Sequence, residues 1–134
     1  MRSTLKPDVA LADKLACEFV LERDGYRCQS CGRDERTRYL EWCHILTRGA
    51  RYLRWEPSNA VALCHADHVY FTDHPVQWRR FIAEQFGPDH MDRLHILQAQ
   101  AEARGDRVDV AQVIAFFRER LTPSESDRYW RGDW

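Results

Sequence analysis

Apolar residues recur at helical spacing near the start of the chain. Leu11, Leu15 and Phe19 share one helix face, and this pattern predicts an amphipathic helix over residues 10–23. An Asp-Gly pair follows and is expected to end the helix. Residues 1–9 lack this periodicity, so we expect them to form a flexible N-terminal arm.

The second half of the chain is predicted to be helical. Pro75 suits the first position of a helix, Pro88 opens a second helix, and Asp109 caps a third. Each helix carries apolar residues on one face, which predicts an ordinary core. This helical extension covers residues 75–122. The polar stretch 123–134, with its aromatic residues, is predicted to be a C-terminal tail.

Between these helices the pattern changes to two short apolar runs that are typical of strands. The first run covers residues 39–46 and the second covers residues 60–63. A long loop with Gly49 and Pro57 separates them, and a helical turn is expected to start near Cys64. This order of elements predicts an α+β fold.

Composition limits the classes of function. The chain has 134 residues, which suits one domain, and 31% of them are charged. Twenty basic residues against 21 acidic residues give a net charge of −1, so nucleic-acid binding must depend on local charge. No apolar run approaches the ~20 residues of a membrane span, and the N-terminus has no apolar signal segment. We therefore expect a cytoplasmic protein without a membrane partner.

The cysteines point to a metal site. Their odd number, five, does not suggest a secreted disulfide framework. Cys28 and Cys31 form a Cys-x-x-Cys pair after a turn rather than after a buried strand, which favours structural zinc over redox chemistry. Cys64 is expected to supply another ligand. Asp67 has the spacing of a fourth ligand after Cys64, and His65 is the competing candidate.

Three segments between residues 40 and 68 resemble the signature of HNH endonucleases. His44, Asn59 and His68 stand in the order that gives the family its name. The stretch from Tyr70 to Trp78 resembles the helix entry of small phage-type HNH proteins, so the resemblance covers about residues 17–100. The Cys-x-x-Cys pair upstream makes the resemblance more specific and implies a zinc knuckle. The segments that carry it are Leu40–Ile45, Arg54–Ala60 and Leu63–His68.

The resemblance implies a fold and a mechanism. In this family a two-stranded hairpin and a helix grip a divalent cation, which is the ββα-metal or His-Me finger motif. It implies a single HNH domain over residues 10–122, with a catalytic core at about 26–75. His44 would be the general base, Asn59 would brace the long loop, and His68 would ligate a catalytic Mg²⁺, Mn²⁺, Ni²⁺ or Zn²⁺.

Two positions depart from the common pattern of the family. Cys43 stands where Asp or His often binds the catalytic cation, and it is either a soft metal ligand or a small core residue. Asp67 stands where a fourth zinc cysteine is usual. These departures leave two hypotheses open. One is a nuclease with an altered metal preference, and the other is a decayed, zinc-stabilised module that binds nucleic acid or protein.

Local charge favours a phosphate partner. Residues 33–54 contain six arginines against three acidic residues, a local balance of +3. Arg48, Arg51 and Arg54 are the predicted DNA contacts, because one guanidinium group can form a bidentate contact with two oxygens of a phosphate. DNA is therefore the expected partner. The resemblance adds a homodimer, or a packaging or recombination partner in a phage-infected or bacterial cell, as further possibilities.

Overall fold

The computed structural model describes residues 6–32, 40–47 and 50–121. Within these residues, five α-helices, two 3₁₀ helices (Arg51–Leu53 and Pro57–Asn59) and one two-stranded antiparallel sheet form the predicted α+β fold. In chain order the elements are α1 (Pro7–Arg23), β1 (Leu40–His44), β2 (Ala60–Cys64), α2 (His65–Asp73), α3 (Pro75–Phe86), α4 (His90–Arg104) and α5 (Val110–Arg120).

The sheet and the helix after it form one continuous unit. Leu40 pairs with Cys64 and His44 pairs with Ala60, so β1 and β2 are in register over their full lengths. Every residue of β2 is buried, as expected for a strand covered on both faces. Cys64 ends β2 and is also the N-cap of α2, so no loop separates the strand from the helix.

The helices cover the sheet and the loop between its strands. Helix α1 contacts both strands, and α3 and α4 pack around the loop. Helix α5 packs on α1 through Leu15 and Phe117, and the rings of Phe19 and Phe117 lie 5.4 Å apart. The three C-terminal helices begin near the predicted prolines and at Asp109, whose carboxylate accepts the Ala111 N–H at 3.0 Å.

The main differences from the predicted elements lie at their ends. Helix α1 begins at Pro7, so residues 7–9 of the expected arm are helical, because proline fits the first turn of a helix. The whole of the predicted C-terminal tail, 123–134, and residues 1–5 of the predicted arm lie outside the described residues. In the described ranges, no helix has both the length and the apolar character needed to cross a bilayer.

Candidate metal centre and adjoining cleft

Four predicted ligands converge at the start of α2. One ligand atom from each of Cys28, Cys31, Cys64 and Asp67 lies within 4.8 Å of the others, close enough to bind a metal ion. The sulfurs of Cys31 and Cys64 are 3.9 Å apart, and all five cysteines are free thiols. Two sulfurs on one tetrahedral zinc, each at ~2.3 Å, stand about 3.8 Å apart. The donor set therefore fits a single tetrahedral ion.

Local backbone geometry brings the cysteine pair to the sheet. Gly32 has φ of 77°, and its N–H donates to the Cys28 carbonyl at 2.8 Å, so the chain turns back directly after the pair. The N–H of Gln29 donates to the carbonyl of Ala62 at 3.0 Å and ties this turn to β2. The pair is thereby held beside the junction of β2 and α2.

Burial raises the pKa values of two thiols in the cluster. Desolvation raises the pKa of Cys28 to about 12 and also raises the pKa of Cys64. The Cys28 thiol then donates to Asp67 Oδ2 at 3.1 Å. A metal ion that binds here must displace the thiol protons.

His65, the competing fourth ligand, lies outside this cluster. Its side chain is 74% exposed, and its Nδ1 lies 3.2 Å from Oε1 of Glu41. The fourth position of the cluster is therefore filled by Asp67 rather than by His65.

A cleft of about 270 Å³ adjoins α2. His44 from the end of β1 and His68 from α2 both line it, together with Cys43, Thr72 and Trp78. A second cavity of about 280 Å³ shares His44 with the first and is lined by Arg51 and Arg54. The structure thus brings the two predicted functional histidines to one surface, next to two of the predicted DNA-contacting arginines.

A backbone carbonyl fixes the His44 ring. Nε2 of His44 lies 2.9 Å from the Arg54 carbonyl oxygen. A carbonyl only accepts, so Nε2 carries the proton, and the neutral ring has its lone pair on Nδ1. The indole of Trp42 packs against the imidazole, with ring centroids 4.3 Å apart.

Asn59 connects the two ends of the loop between the strands. Its buried amide accepts from the Leu46 N–H at 2.8 Å and donates to the carbonyls of Leu46 and Leu53 at 3.0 and 3.2 Å. Its own carbonyl accepts from the Ile45 N–H at 2.8 Å. These bonds hold in place the loop whose Arg54 carbonyl meets His44.

His68 has a carboxylate partner that the sequence analysis did not identify. Nδ1 of His68 lies 3.0 Å from Oε1 of Glu41, the second residue of β1. The register places Glu41 opposite Leu63, and α2 begins two residues later. An acidic residue in an otherwise apolar strand was the signal available in the sequence.

Cys43 lies in the wall between the cleft and the core. Its side chain is buried with Val61 and Leu63, and its thiol lies 3.7 Å from the Glu41 carbonyl. Burial raises the pKa of this thiol far above its ordinary value. Among the described residues, the cluster of Cys28, Cys31, Cys64 and Asp67 is the one group in which three or more potential ligands lie close enough to bind an ion. It contains neither Cys43 nor His68.

The predicted DNA-contacting arginines differ in their surroundings. The guanidinium of Arg54 donates to both carboxylate oxygens of Asp13 at 2.9 and 2.6 Å, which raises its pKa further. Arg51 is exposed and donates to the Tyr52 hydroxyl at 3.1 Å. Arg48 lies outside the described residues. Arg54 therefore has a structural partner in α1, whereas Arg51 extends into solvent.

Comparison with family models, with curated proteins and with solved structures finds no match to this chain.

Proposed function

We propose that this chain is a metal-dependent HNH endonuclease that hydrolyses phosphodiester bonds of DNA, with β1, β2 and α2 as its ββα-metal unit. The observation that carries the proposal is the shared cleft. His44 and His68 come from different elements, yet they line the same cavity of about 270 Å³. A cavity with an imidazole base on one wall and an imidazole ligand on the other suits metal-assisted hydrolysis.

His44 is the proposed general base. Its neutral tautomer has the lone pair on Nδ1, because Nε2 donates to the Arg54 carbonyl. Nδ1 is then available to take a proton from water. The carbonyl of Arg54 stabilises the imidazolium that forms. Asn59 supports this geometry by fixing the loop that supplies the carbonyl.

His68 is the proposed cation ligand. Its Nδ1 is engaged by Glu41, which leaves Nε2 as the ligand atom. A divalent cation held there would neutralise charge that develops on the phosphate and on the leaving 3′ oxygen. Thr72 donates its hydroxyl proton to the His68 carbonyl at 2.9 Å, so its oxygen lone pairs remain as acceptors beside the cleft.

Zinc is the ion we propose for the four-ligand cluster. Three sulfurs and one carboxylate oxygen within 4.8 Å of one another are a donor set that suits this ion. A two-stranded sheet with one short helix has little core of its own, so a metal that ties Cys28 and Cys31 to α2 would stabilise it.

One active site hydrolyses one DNA strand in each reaction, so we expect nicked DNA as the product. Double-strand cleavage would need a second copy of the chain or a partner, such as a phage packaging or recombination protein in the infected cell. Arg51, at the rim of the second cavity, would bind a neighbouring phosphate.

A second candidate function is a zinc-stabilised binding module whose nuclease site has decayed. Cys43 favours it, because this residue packs in the core and does not form a three-ligand group with His68. Such a protein would retain the cluster and the arginines but would not hydrolyse DNA.

A plasmid-nicking assay separates the two functions. Zinc-loaded protein is incubated with supercoiled DNA in Mg²⁺, Mn²⁺, Ni²⁺ or Zn²⁺, and His44→Ala is compared with His95→Ala, whose histidine is exposed on α4. We expect nicking by the wild type and by the His95 variant, and none by the His44 variant at unchanged zinc content. A folded wild-type protein that nicks with none of these metals would favour the binding module.

A further inference from the structure

One carboxylate oxygen of β1 lies between two imidazoles of α2. Oε1 of Glu41 is 3.2 Å from Nδ1 of His65 and 3.0 Å from Nδ1 of His68. The two histidines are three residues apart and so share one face of the helix. Glu41 is 36% exposed, so its role is not that of a core residue.

The chemistry of the carboxylate fixes the tautomer of both rings. An ionised carboxylate only accepts, so each Nδ1 that it contacts carries a hydrogen. A neutral His68 then has its lone pair on Nε2. In metal sites, a histidine ligand commonly donates its other ring N–H to a carboxylate. This hydrogen bond orients the imidazole and makes its metal-binding nitrogen more basic.

We infer that Glu41 is a positioning residue that presents Nε2 of His68 to a divalent cation in the cleft. This inference rests on the proposed function, because that function places the cation beside His68. It adds a residue outside the His-Asn-His set and explains why an acidic side chain stands in this short strand. His65 is a second donor to the same oxygen. Without the His65 side chain, Oε1 of Glu41 would still accept the hydrogen bond from His68.

Direct coordination by Glu41 does not fit as well. Within the part of the chain that the structure describes, Glu41, His65 and His68 are not a group whose ligand atoms are close enough for one ion. Glu41 therefore acts through His68.

The test follows the tautomer of His68 and the binding of Mn²⁺ in the full, zinc-loaded chain. Long-range ¹H–¹⁵N correlation spectra at pH 8 report which ring nitrogen of His68 carries the proton, and His68→Ala assigns the signals. Line broadening during a Mn²⁺ titration gives the affinity at the cleft. These readouts do not require nuclease activity.

We expect wild-type His68 to carry its proton on Nδ1 and to be broadened by Mn²⁺. Glu41→Ala should lose the fixed tautomer and weaken Mn²⁺ binding by about 10- to 100-fold, as loss of such outer partners typically does. Glu41→Gln keeps an acceptor oxygen and should recover part of both properties. His65→Ala, and Glu84→Ala on the exposed face of α3, should retain both.

The inference and the proposed function fail in different ways. A wild-type His68 with its proton on Nε2 would overturn the inference even if no variant folds. Unchanged Mn²⁺ affinity in folded Glu41→Ala would also overturn it, even if the protein nicks DNA. Absence of nicking together with a Glu41-dependent tautomer and Mn²⁺ affinity would remove the nuclease and leave the positioning role in place.

Discussion

Asp67 and His68 are adjacent in α2 but face different sites. Oδ2 of Asp67 lies 3.1 Å from the Cys28 sulfur, whereas His68 lines the cleft that also contains His44. Successive helix residues point about 100° apart, which separates the two side chains. Helix α2 therefore supplies side chains to both the metal cluster and the cleft, so a shift of this helix would change both.

Loss of one cluster ligand should release the metal and unfold much of the chain. Cys28→Ala removes a buried ligand, and the expected loss is several kcal/mol of the ~5–15 kcal/mol that keeps a domain folded. Metal content per chain and thermal unfolding measure this change. Cys17→Ala is the matched control and should keep one tightly bound ion. Full metal content in Cys28→Ala would contradict the four-ligand site.

Replacement of the carboxylate ligand by a thiolate should strengthen the cluster. Asp67→Cys supplies a sulfur ligand in a position that already faces the other three ligands. Zinc affinity, measured by competition with a chromogenic chelator, should rise, and Asp67→Ala should lower it. Equal affinities in all three proteins would show that Asp67 is not a ligand.

Removal of the loop brace should cost both stability and activity. Asn59→Ala leaves the Leu46 N–H and two carbonyls without their buried partner, which should lower the free energy of unfolding by about 2–4 kcal/mol. Urea unfolding measures the change, with exposed Gln100→Ala as the control. The nicking rate should fall as well, because the loop carries the carbonyl that orients His44. A stability equal to that of the control would exclude this role.

Helix α1 should influence the cleft through Asp13. This carboxylate accepts from the guanidinium of Arg54 and, at 2.8 Å, from the indole N–H of Trp55. Asp13→Asn should lower the free energy of unfolding by about 1–2 kcal/mol, because both bonds are only partly buried. The nicking rate should fall further than in the control Asp92→Asn, since the Arg54 carbonyl would lose its fixed position. Identical rates in the two variants would refute this connection.

Local patterns were sufficient to predict the elements and the cluster, because both depend on short spacings. Apolar periodicity predicted α1 and the C-terminal helices, and the two Cys-x-x spacings predicted the ligands that converge at α2. The contacts of Glu41 and Asp13 were not predicted. Each joins residues far apart in the chain. The acidic Glu41 stands out in its short strand, but a single sequence does not show which distant side chain such a residue will contact.

The polar contacts of α1 have a consequence for dissecting the protein. Arg23 donates to the carbonyls of Pro57 and Ala60 at 2.7 Å each, and Asp24 accepts from the Ala62 N–H at 2.9 Å. A fragment of residues 26–75 would keep every proposed ligand and base but would lose these anchors. Since α5 packs on α1, we expect autonomous folding to need nearly the whole described chain, so that a fragment cut down to the sheet and α2 should be an unfolded peptide.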